Sequence, residues 1–462
     1  MIGSAGPTLA QPAEEPAPVP VPVPLPDETA PAQEPSPEPE LEPKLEPEPE
    51  LEPKPELEPK PELTPEPELK PEPQPQPPSP LTLSGYLQAD VIPWDQSSVD
   101  ELDPSGNPLN QERLLIPRAR LRAEVERDRL FGHLELDGNT VDGPTARLVA
   151  ALGGARYRDD ATATEASIAV GLFKIPFGRE VPLSEAHRPL LEPSLVARAL
   201  FPGNYDGGLI ARGRWRGVEL AIAATNGAPS GDAQFRGRDP SSSWDLVGRA
   251  GARGQLTAAV TLSGGLSALT GTGLHPGTPA IKDSVEWVDG NEDGIVQITE
   301  LMPVPGAPAT PSETFARSAV GADVALGWCL CGLGCGELSA EVAVATNLDR
   351  GVEYADPIAA DRDLRELGWQ VMVVQALTPH AQVAARYDVY RPDRDAREAR
   401  GAAIVPTDPR YRTLAIAAEA HTAHTRWLLE YDHESNPRGR ALDGAPATMA
   451  ADRITLRAQV SF

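Results

Sequence analysis

Apolar and polar residues alternate along many segments of the chain beyond residue 80. In the last ten residues, every second residue from Ile454 to Phe462 is apolar, and the residues between them are polar. The same alternation runs through residues 118–126 and 381–390. Because successive side chains of a β-strand point to opposite faces, each segment is predicted to be a strand with one apolar and one polar face.

About sixteen segments follow this pattern, and their lengths fit the roughly 9–11 residues that a tilted strand needs to cross a bilayer. The gaps after even-numbered segments are short, whereas those after odd-numbered segments are long, above all 176–206 and 265–315. This arrangement predicts an all-β fold, a 16-stranded antiparallel transmembrane β-barrel with a water-filled lumen. The segments lie near 81–91, 113–126, 129–137, 144–153, 165–175, 207–214, 217–225, 244–251, 254–264, 316–328, 337–347, 366–375, 380–390, 410–420, 424–433 and 453–462.

A soluble barrel or sandwich is the alternative, with a dry apolar core and its charges outside. Aromatic residues make up only 5% of the chain, and charged strand faces such as Arg118, Arg120 and Arg122 recur, which favours a polar lumen. No apolar run reaches the roughly 18 residues of a membrane-spanning helix. The sequence therefore favours a barrel in the outer membrane of a Gram-negative bacterium, in contact with outer-membrane lipid.

The first 80 residues have a different composition from the predicted barrel, 81–462. They hold 27 of the 52 prolines, with 18 acidic residues and 4 lysines, so they carry −14 of the net charge of −27 and leave −13 on the barrel. Neither part is basic, which argues against nucleic-acid binding. Proline and charge at this density predict a disordered or polyproline II arm. We expect it in the periplasm, either as a tether to peptidoglycan or as a dispensable linker. Residues 8–10 resemble the end of a signal-peptide cleavage site, so we expect that the true start lies upstream or that a presequence has been truncated.

A calcium-loop pattern occupies residues 289–300, inside the longest connection. It has oxygen-bearing side chains at the first, third and fifth positions, glycine at the sixth and glutamate at the twelfth, as in an EF-hand loop. The predicted ligands for Ca²⁺ are Asp289, Asn291, Asp293, Ile295 through its carbonyl, Gln297 and Glu300. The alternative is an acidic, glycine-rich loop tip without a metal. We expect an ion here to stiffen an extracellular loop.

Three cysteines, Cys329, Cys331 and Cys335, lie in one predicted turn. Outside the cytoplasm a local disulfide is expected, most simply between Cys329 and Cys335, which leaves Cys331 unpaired. Zinc binding by three thiolates is the alternative, but no fourth ligand lies nearby. The chain has no Gly-x-Ser-x-Gly elbow and no glycine-rich phosphate loop, and no serine or aspartate is evidently paired with a histidine, so no enzyme activity is expected.

Residues 170–178, Val-Gly-Leu-Phe-Lys-Ile-Pro-Phe-Gly, resemble the signature strand of the phosphate-selective porin O and P family. Residues 188–203 resemble the third loop of that family, and the terminal Phe462 resembles the signal read by the barrel-assembly machinery. The resemblance implies an outer-membrane channel, usually a homotrimer, that passes phosphate or other small anions. Residues 81–462 carry only two lysines, Lys174 and Lys282, and arginine supplies the other 35 positive charges.

By the same resemblance, the 176–206 loop folds inward and constricts the pore. Charged groups at the narrowest point determine the selectivity of a pore. The residues predicted to favour anions are Arg118, Arg120, Arg122, Lys174, Arg179, Arg188 and Arg198. The sequence leaves two alternatives open: a non-selective porin whose charges keep the channel wet, and a structural anchor whose N-terminal arm holds the cell wall.

Overall fold

The computed structural model describes residues 80–96, 112–141, 143–232, 234–235, 241–330, 332, 334–400, 403–440 and 446–462. All of them belong to the unit Pro75–Phe462. The predicted arm therefore lies outside the described residues, apart from Pro80. No helix in the described part of the chain is both long and apolar enough to cross a membrane.

Sixteen strands of the described chain close into one antiparallel barrel, which confirms the predicted fold class. These strands are β1 (Leu81–Gln96), β2 (Arg113–Arg127), β3 (Leu130–Asn139), β4 (Thr145–Asp159), β5 (Thr164–Lys174), β6 (Tyr205–Trp215), β7 (Val218–Thr225), β8 (Asp245–Thr257), β9 (Val260–His275), β12 (Glu313–Leu330), β13 (Gly334–Thr346), β14 (Arg365–Thr378), β15 (Ala381–Arg391), β18 (Tyr411–His421), β19 (Thr425–Arg440) and β20 (Pro446–Ser461). Two small hairpins, β10 (Ser284–Trp287) with β11 (Leu301–Val304) and β16 (Arg397–Arg400) with β17 (Ala403–Pro406), lie in the long connections.

The barrel closes between its first and last strands. Tyr86 of β1 is the register partner of Ser461 in β20, and the backbone groups of Gly85 and Phe462 exchange two hydrogen bonds of 3.0 Å. A Cβ on Gly85 would lie 2.6 Å from the Phe462 ring, so a side chain there would collide with the C-terminal aromatic residue. One end of the barrel carries the short turns and is called the turn side. The other end carries the long connections and is called the loop side.

Alternation along the strands separates an apolar outer face from a polar inner face. In β20, Ile454, Leu456 and Val460 are exposed on the outside, whereas Arg457 and Gln459 are buried on the inside. The same division holds around the barrel, where leucine and valine side chains are exposed at outward positions. Burying charge and exposing leucine is the reverse of a soluble protein and fits a barrel whose outside meets hydrocarbon.

The turn between β8 and β9 lies further along the chain than the sequence pattern predicted. We expected strands at 244–251 and 254–264, but β8 runs to Thr257 and β9 continues to His275. The extension is rich in glycine, which weakens an apolar–polar pattern. A Cβ on Gly271 would lie 1.7 Å from an oxygen of Asp245, so the neighbouring carboxylate occupies the space of a side chain. The longest connection is therefore 276–312.

A packed apolar cluster lies inside the barrel, around the connection between β5 and β6. Here 175–204 is called the inward loop, and it contains the helix α1 (Leu195–Leu200). The Ser194 hydroxyl accepts a bond from the Ala197 amide at the start of this helix. Phe177 and Phe201 pack with ring centroids 4.8 Å apart, and both are 2% exposed. The inward loop thus adds an apolar core to part of the lumen, which the sequence did not predict.

Candidate functional site

Carboxylates of the barrel wall hold the inward loop along one side of the lumen. Glu341 of β13 accepts the amides of Arg179 and Glu180 at 3.1 and 3.2 Å. The Leu191 amide donates to Glu430 of β19 at 2.8 Å. An irregular segment inside a barrel leaves backbone donors that need partners. Strand carboxylates supply these partners and fix the loop.

Salt bridges attach the same loop to β2 and to the end of β5. Arg118 of β2 lies 3.1 Å from Glu192 of the loop, and Lys174 lies 3.2 Å from Glu185. Burial raises the pKa of Glu185, but the charges of Lys174, Arg188 and Arg120 outweigh that effect and lower it to about 2. Glu185 is therefore charged at neutral pH, and the loop is anchored to several strands of the wall.

Each cation that the sequence assigned to the pore has an acidic partner. The pairs are Arg118–Glu192 at 3.1 Å, Arg120–Glu135 at 2.5 Å, Arg120–Asp137 at 2.9 Å, Arg122–Glu135 at 2.9 Å, Lys174–Glu185 at 3.2 Å, Arg179–Glu337 at 2.6 Å, Arg188–Glu185 at 3.9 Å and Arg198–Glu434 at 3.4 Å. Arg120 is 5% exposed, which removes it from contact with a passing ion. These pairs weaken the electric field that the predicted residues would create.

A denser group of arginines lies on the loop side of the inward loop, and each of these arginines also has an acidic partner within 4.0 Å. They line a cavity of about 380 Å³, called here the arginine cavity, between the loop and the wall formed by β1–β4 and β20. Its lining contains two carboxylates, Asp90 and Glu192, and six arginines. The arginines are Arg113, Arg118, Arg147, Arg198, Arg453 and Arg457.

Sequence reasoning missed four of these arginines, namely Arg113, Arg147, Arg453 and Arg457. The signal for the last two was present, because both occupy the polar face of the C-terminal strand. Their convergence with the other arginines depends on barrel closure. Arg457 pairs with Asp90 of β1 at 2.7 Å although the two residues are 367 positions apart. Local patterning does not predict such a contact.

Three polar atoms of the arginine cavity have no hydrogen-bond partner among the residues that the structure describes. They are the Nε atoms of Arg198 and Arg453 and the hydroxyl oxygen of Thr455. Thr455 is 2% exposed. Buried donors without partners are uncommon in folded proteins, and they bind water or a ligand where one can enter. Two of these donors belong to guanidinium groups, so the free capacity suits an anion.

The turn side of the loop is more evenly charged. A cavity of about 610 Å³ there is lined by four basic side chains, Arg122, Arg156, Lys174 and Arg212, and by three glutamates, Glu124, Glu126 and Glu135. No hydrogen bond or ion pair of the Arg212 side chain is found within the described part of the chain. The arginine cavity has more arginines and fewer carboxylates in its lining than this turn-side cavity.

The calcium-loop pattern forms the tip of the β10–β11 hairpin, so two strands flank it in place of the helices of an EF-hand, and its last three residues form a short 3-10 turn. Asp289 accepts the amides of Asp293 and Gly294 at 3.2 and 2.8 Å. Glu300 accepts the Trp287 indole N–H at 3.1 Å. Gly294 has a φ of +70°, which the sharp turn requires. Among described residues, no group of three or more His, Cys, Asp or Glu side chains is placed to hold a metal ion.

The remaining ligand positions of the calcium-loop pattern lie in the same exposed turn. The Asn291 amide nitrogen and the Gln297 amide nitrogen both donate to Asp293, at 3.0 and 2.9 Å. The Ile295 amide donates to Asp293 at 2.8 Å. The side-chain oxygens therefore bond mainly within the loop.

The cysteines lie where β12 meets β13. Cys329 and Cys335 are register partners, and their Sγ atoms are bonded at 2.07 Å. Cys331 lies outside the described residues.

No protein-family model matches the chain, and no curated protein compared with it is significantly similar. Solved structures of outer-membrane proteins resemble it at low sequence identity. They include OmpT of Vibrio cholerae in a trimer form (8% identity, 83% of this chain and 99% of that chain, TM-score 0.47), the outer-membrane channel DcaP of Acinetobacter baumannii (12%, 83% and 97%, 0.49) and an anion-selective porin from Comamonas acidovorans (11%, 83% and 99%, 0.48). At these identities the similarity concerns the fold alone. Membership in the phosphate-selective porin O and P family stays a prediction.

Proposed function

We propose that this protein is an outer-membrane channel for the passive diffusion of small anions. The observation that carries the proposal is the arginine cavity, with six arginines and two carboxylates in its lining. Fixed charges along a pore attract ions of opposite sign and repel ions of the same sign. The arginines that line the cavity outnumber the carboxylates in that lining, which favours anions over cations, and the carboxylates that pair with them from outside the lining reduce the size of the effect.

The outer face of the barrel supports a membrane position. Large aromatic side chains are exposed at outward positions near the turn side, including Tyr157, Trp215 and Trp427. Others lie nearer the loop side, including Trp94 and Tyr431. Aromatic girdles above and below an apolar band are typical of outer-membrane barrels. The lipid-facing band thus lies between the two groups.

Phosphate is one anion that suits this lining. A guanidinium can donate two parallel hydrogen bonds to one phosphate group. The arginine cavity contains arginines and no lysine, and its two unpartnered Nε atoms have donors to spare. We propose inorganic phosphate as a permeant ion on this chemistry.

Non-selective diffusion is the second candidate, and the ion pairs favour it. All seven cations assigned from the sequence have acidic partners within 4.0 Å, so the net field is smaller than their number suggests. Dye-loaded proteoliposomes distinguish the two candidates by comparing chloride with potassium influx. Anion selectivity predicts faster chloride entry and slower chloride entry when inorganic phosphate is added. Equal rates for both ions would contradict it.

We also propose that the β10–β11 tip binds calcium and that the protein is a homotrimer. The spacing of oxygen-bearing residues over 289–300 supports the first proposal, and the family resemblance supports the second. Calorimetry of the full-length protein should show calcium heat that Asp289→Asn and Glu300→Gln abolish. Equal heats for wild type and variants would contradict calcium binding.

Mass measurement in detergent should give three chains, and a single chain would contradict the trimer.

A further inference from the structure

A cluster of arginines lies on the outer face of the barrel at its loop-side rim. Tyr390 and Tyr411 are register partners of β15 and β18, and both point inward, with 0% and 6% exposure. Alternation therefore turns the next residues, Arg391 in β15 and Arg412 in β18, outward. Arg410 immediately precedes β18. The three residues Arg391, Arg410 and Arg412 are called here the rim patch.

Aromatic residues lie next to the rim patch on the same outer face. Trp369 and Tyr387 form an edge-to-face pair with ring centroids 5.7 Å apart. Val389 also faces outward, yet it is only 6% exposed, and its register partners on either side are Trp369 and Arg412. Tryptophan and tyrosine at the end of an apolar band mark the level of the lipid headgroups. The rim patch is therefore at headgroup level.

The rim patch carries more positive charge than its surroundings neutralise. Asp408 pairs with Arg391 at 3.3 Å and also with Arg410. The Arg412 side chain has no hydrogen bond or ion pair within the described part of the chain. Desolvation and the like charges of Arg391 and Arg412 lower the pKa of Arg410, which reflects how close the three guanidinium groups lie. One carboxylate against three arginines leaves an excess of two charges.

The patch is local to this part of the rim. Outward positions at the loop-side ends of the strands β7, β8, β9 and β12 are uncharged. They hold Ala224, Leu246, Thr270, Thr272, Thr314 and Ala316. A uniform solubilising rim would distribute its charge around the barrel. Outward charge is instead found on the neighbouring strands β14, β15 and β18, where Arg365 of β14 pairs with Asp395 at 3.4 Å and the rim patch follows, and this grouping indicates a defined contact.

We propose that the rim patch binds the phosphate groups of an anionic lipid in the leaflet next to the long loops. Clustered basic side chains at a membrane surface attract lipid phosphates, and arginine adds bidentate hydrogen bonds. Flanking aromatic side chains would contact the upper part of the acyl chains. This inference rests on the membrane position proposed above and is independent of which ions cross the lumen.

Native mass spectrometry of the full-length protein in detergent tests the proposal. The probes are bisphosphorylated lipid A and the same lipid without its phosphates. Wild type should bind the phosphorylated form at least tenfold more tightly. The R391Q/R410Q/R412Q variant should lose that preference, whereas R127Q/R129Q/R216Q, which removes three arginines from the turn side, should keep it.

Equal binding of the two lipids by wild type would overturn the proposal without requiring any variant to fold. Equal lipid A binding by wild type and the rim-patch variant would also overturn it. A variant that keeps lipid binding but loses association between copies would assign the patch to a contact with another chain. Bilayer conductance separates this inference from the proposed function, because the rim-patch variant should conduct ions like wild type.

Discussion

Replacing Arg113 and Arg147 with glutamine tests whether the arginine cavity determines ion selectivity. These two side chains are the most suitable because they are 46% and 56% exposed, so their removal disturbs little packing. Each has an acidic partner, Asp95 or Asp137, which the variant leaves in place. The R113Q/R147Q change therefore removes two positive charges from the lining and adds no cavity in the protein core.

The size of the effect follows from the dimensions of the cavity. A sphere of 380 Å³ has a radius of about 4.5 Å, so a guanidinium group in the wall lies about 8 Å from an ion at the centre. At this distance the electrostatic interaction between the two charges is about 0.5 kcal/mol in water. Screening in 0.1 M salt, with a Debye length of about 10 Å, reduces this to about 0.2 kcal/mol. Each removed charge makes the cavity less favourable for an anion and more favourable for a cation by this amount. Removing two charges therefore changes the difference in energy between an anion and a cation at the centre by about 0.9 kcal/mol, which corresponds to about fivefold in the anion-to-cation permeability ratio.

Reversal potentials in planar bilayers under a salt gradient measure this ratio. The R113Q/R147Q variant should shift the potential toward cation preference, and the shift should shrink as salt concentration rises because screening increases. The R127Q/R216Q variant is the matched control, since it removes two arginines from the turn-side rim. An unchanged potential in R113Q/R147Q, or an equal shift in the control, would refute the role of the cavity.

Three further changes test the loop and the hairpin. Gly178→Ala should lower the free energy of unfolding by about 1–3 kcal/mol and alter conductance, because φ at Gly178 is +62° and a Cβ there would lie 1.9 Å from a carboxylate oxygen of Glu341. Gly213→Ala is the control, because a Cβ at Gly213 would have nothing within 4 Å. Equal urea midpoints for the two variants would contradict this prediction. The pKa of Glu185 is lowered from 4.5 to about 2, so its contribution to stability is complete above pH 4.5 and disappears toward pH 2. The stability difference between wild type and Glu185→Gln should therefore stay constant from about pH 7 to pH 5, and a loss of that difference within this range would be inconsistent with this assignment. Cys329→Ser should lower the free energy of unfolding by about 2 kcal/mol, because the disulfide to Cys335 closes a loop between residues that are six positions apart. Identical unfolding of the wild-type protein with and without a reductant would argue against the disulfide.

The barrel could be predicted because its alternation is local. A strand shows its two faces within about ten residues, so the sixteen segments were visible one by one. The pattern failed between β8 and β9, where glycine, serine and threonine replace larger apolar residues. There the choice of glycine depends on side chains of neighbouring strands, such as Asp245, which occupies the space beside Gly271. These residues become neighbours only after the strands have paired.

Part of the charge pairing was also predictable in principle. The turn at Asp128 and Arg129 joins β2 to β3 and determines their register, which brings Arg120 opposite Asp137 and Arg122 opposite Glu135. Asp128 has a φ of +56°, as a tight hairpin turn requires. A register drawn from this turn would have shown that these arginines are neutralised.

Contacts of the inward loop could not be predicted in the same way. Leu191 and Glu430 are 239 residues apart, and their hydrogen bond depends on how the loop crosses a closed barrel. The arginine cavity likewise combines residues from both ends of the chain. Such a site becomes visible only when strand order, closure and loop position are all known.

The reversal potential of the wild-type protein tests the proposed function most directly. Purified full-length protein would be inserted into a planar bilayer with a tenfold difference in KCl across it. The account predicts stepwise conductance increases and a potential whose sign corresponds to chloride preference. An absence of conductance steps, or a potential with the sign of potassium preference, would contradict an anion channel.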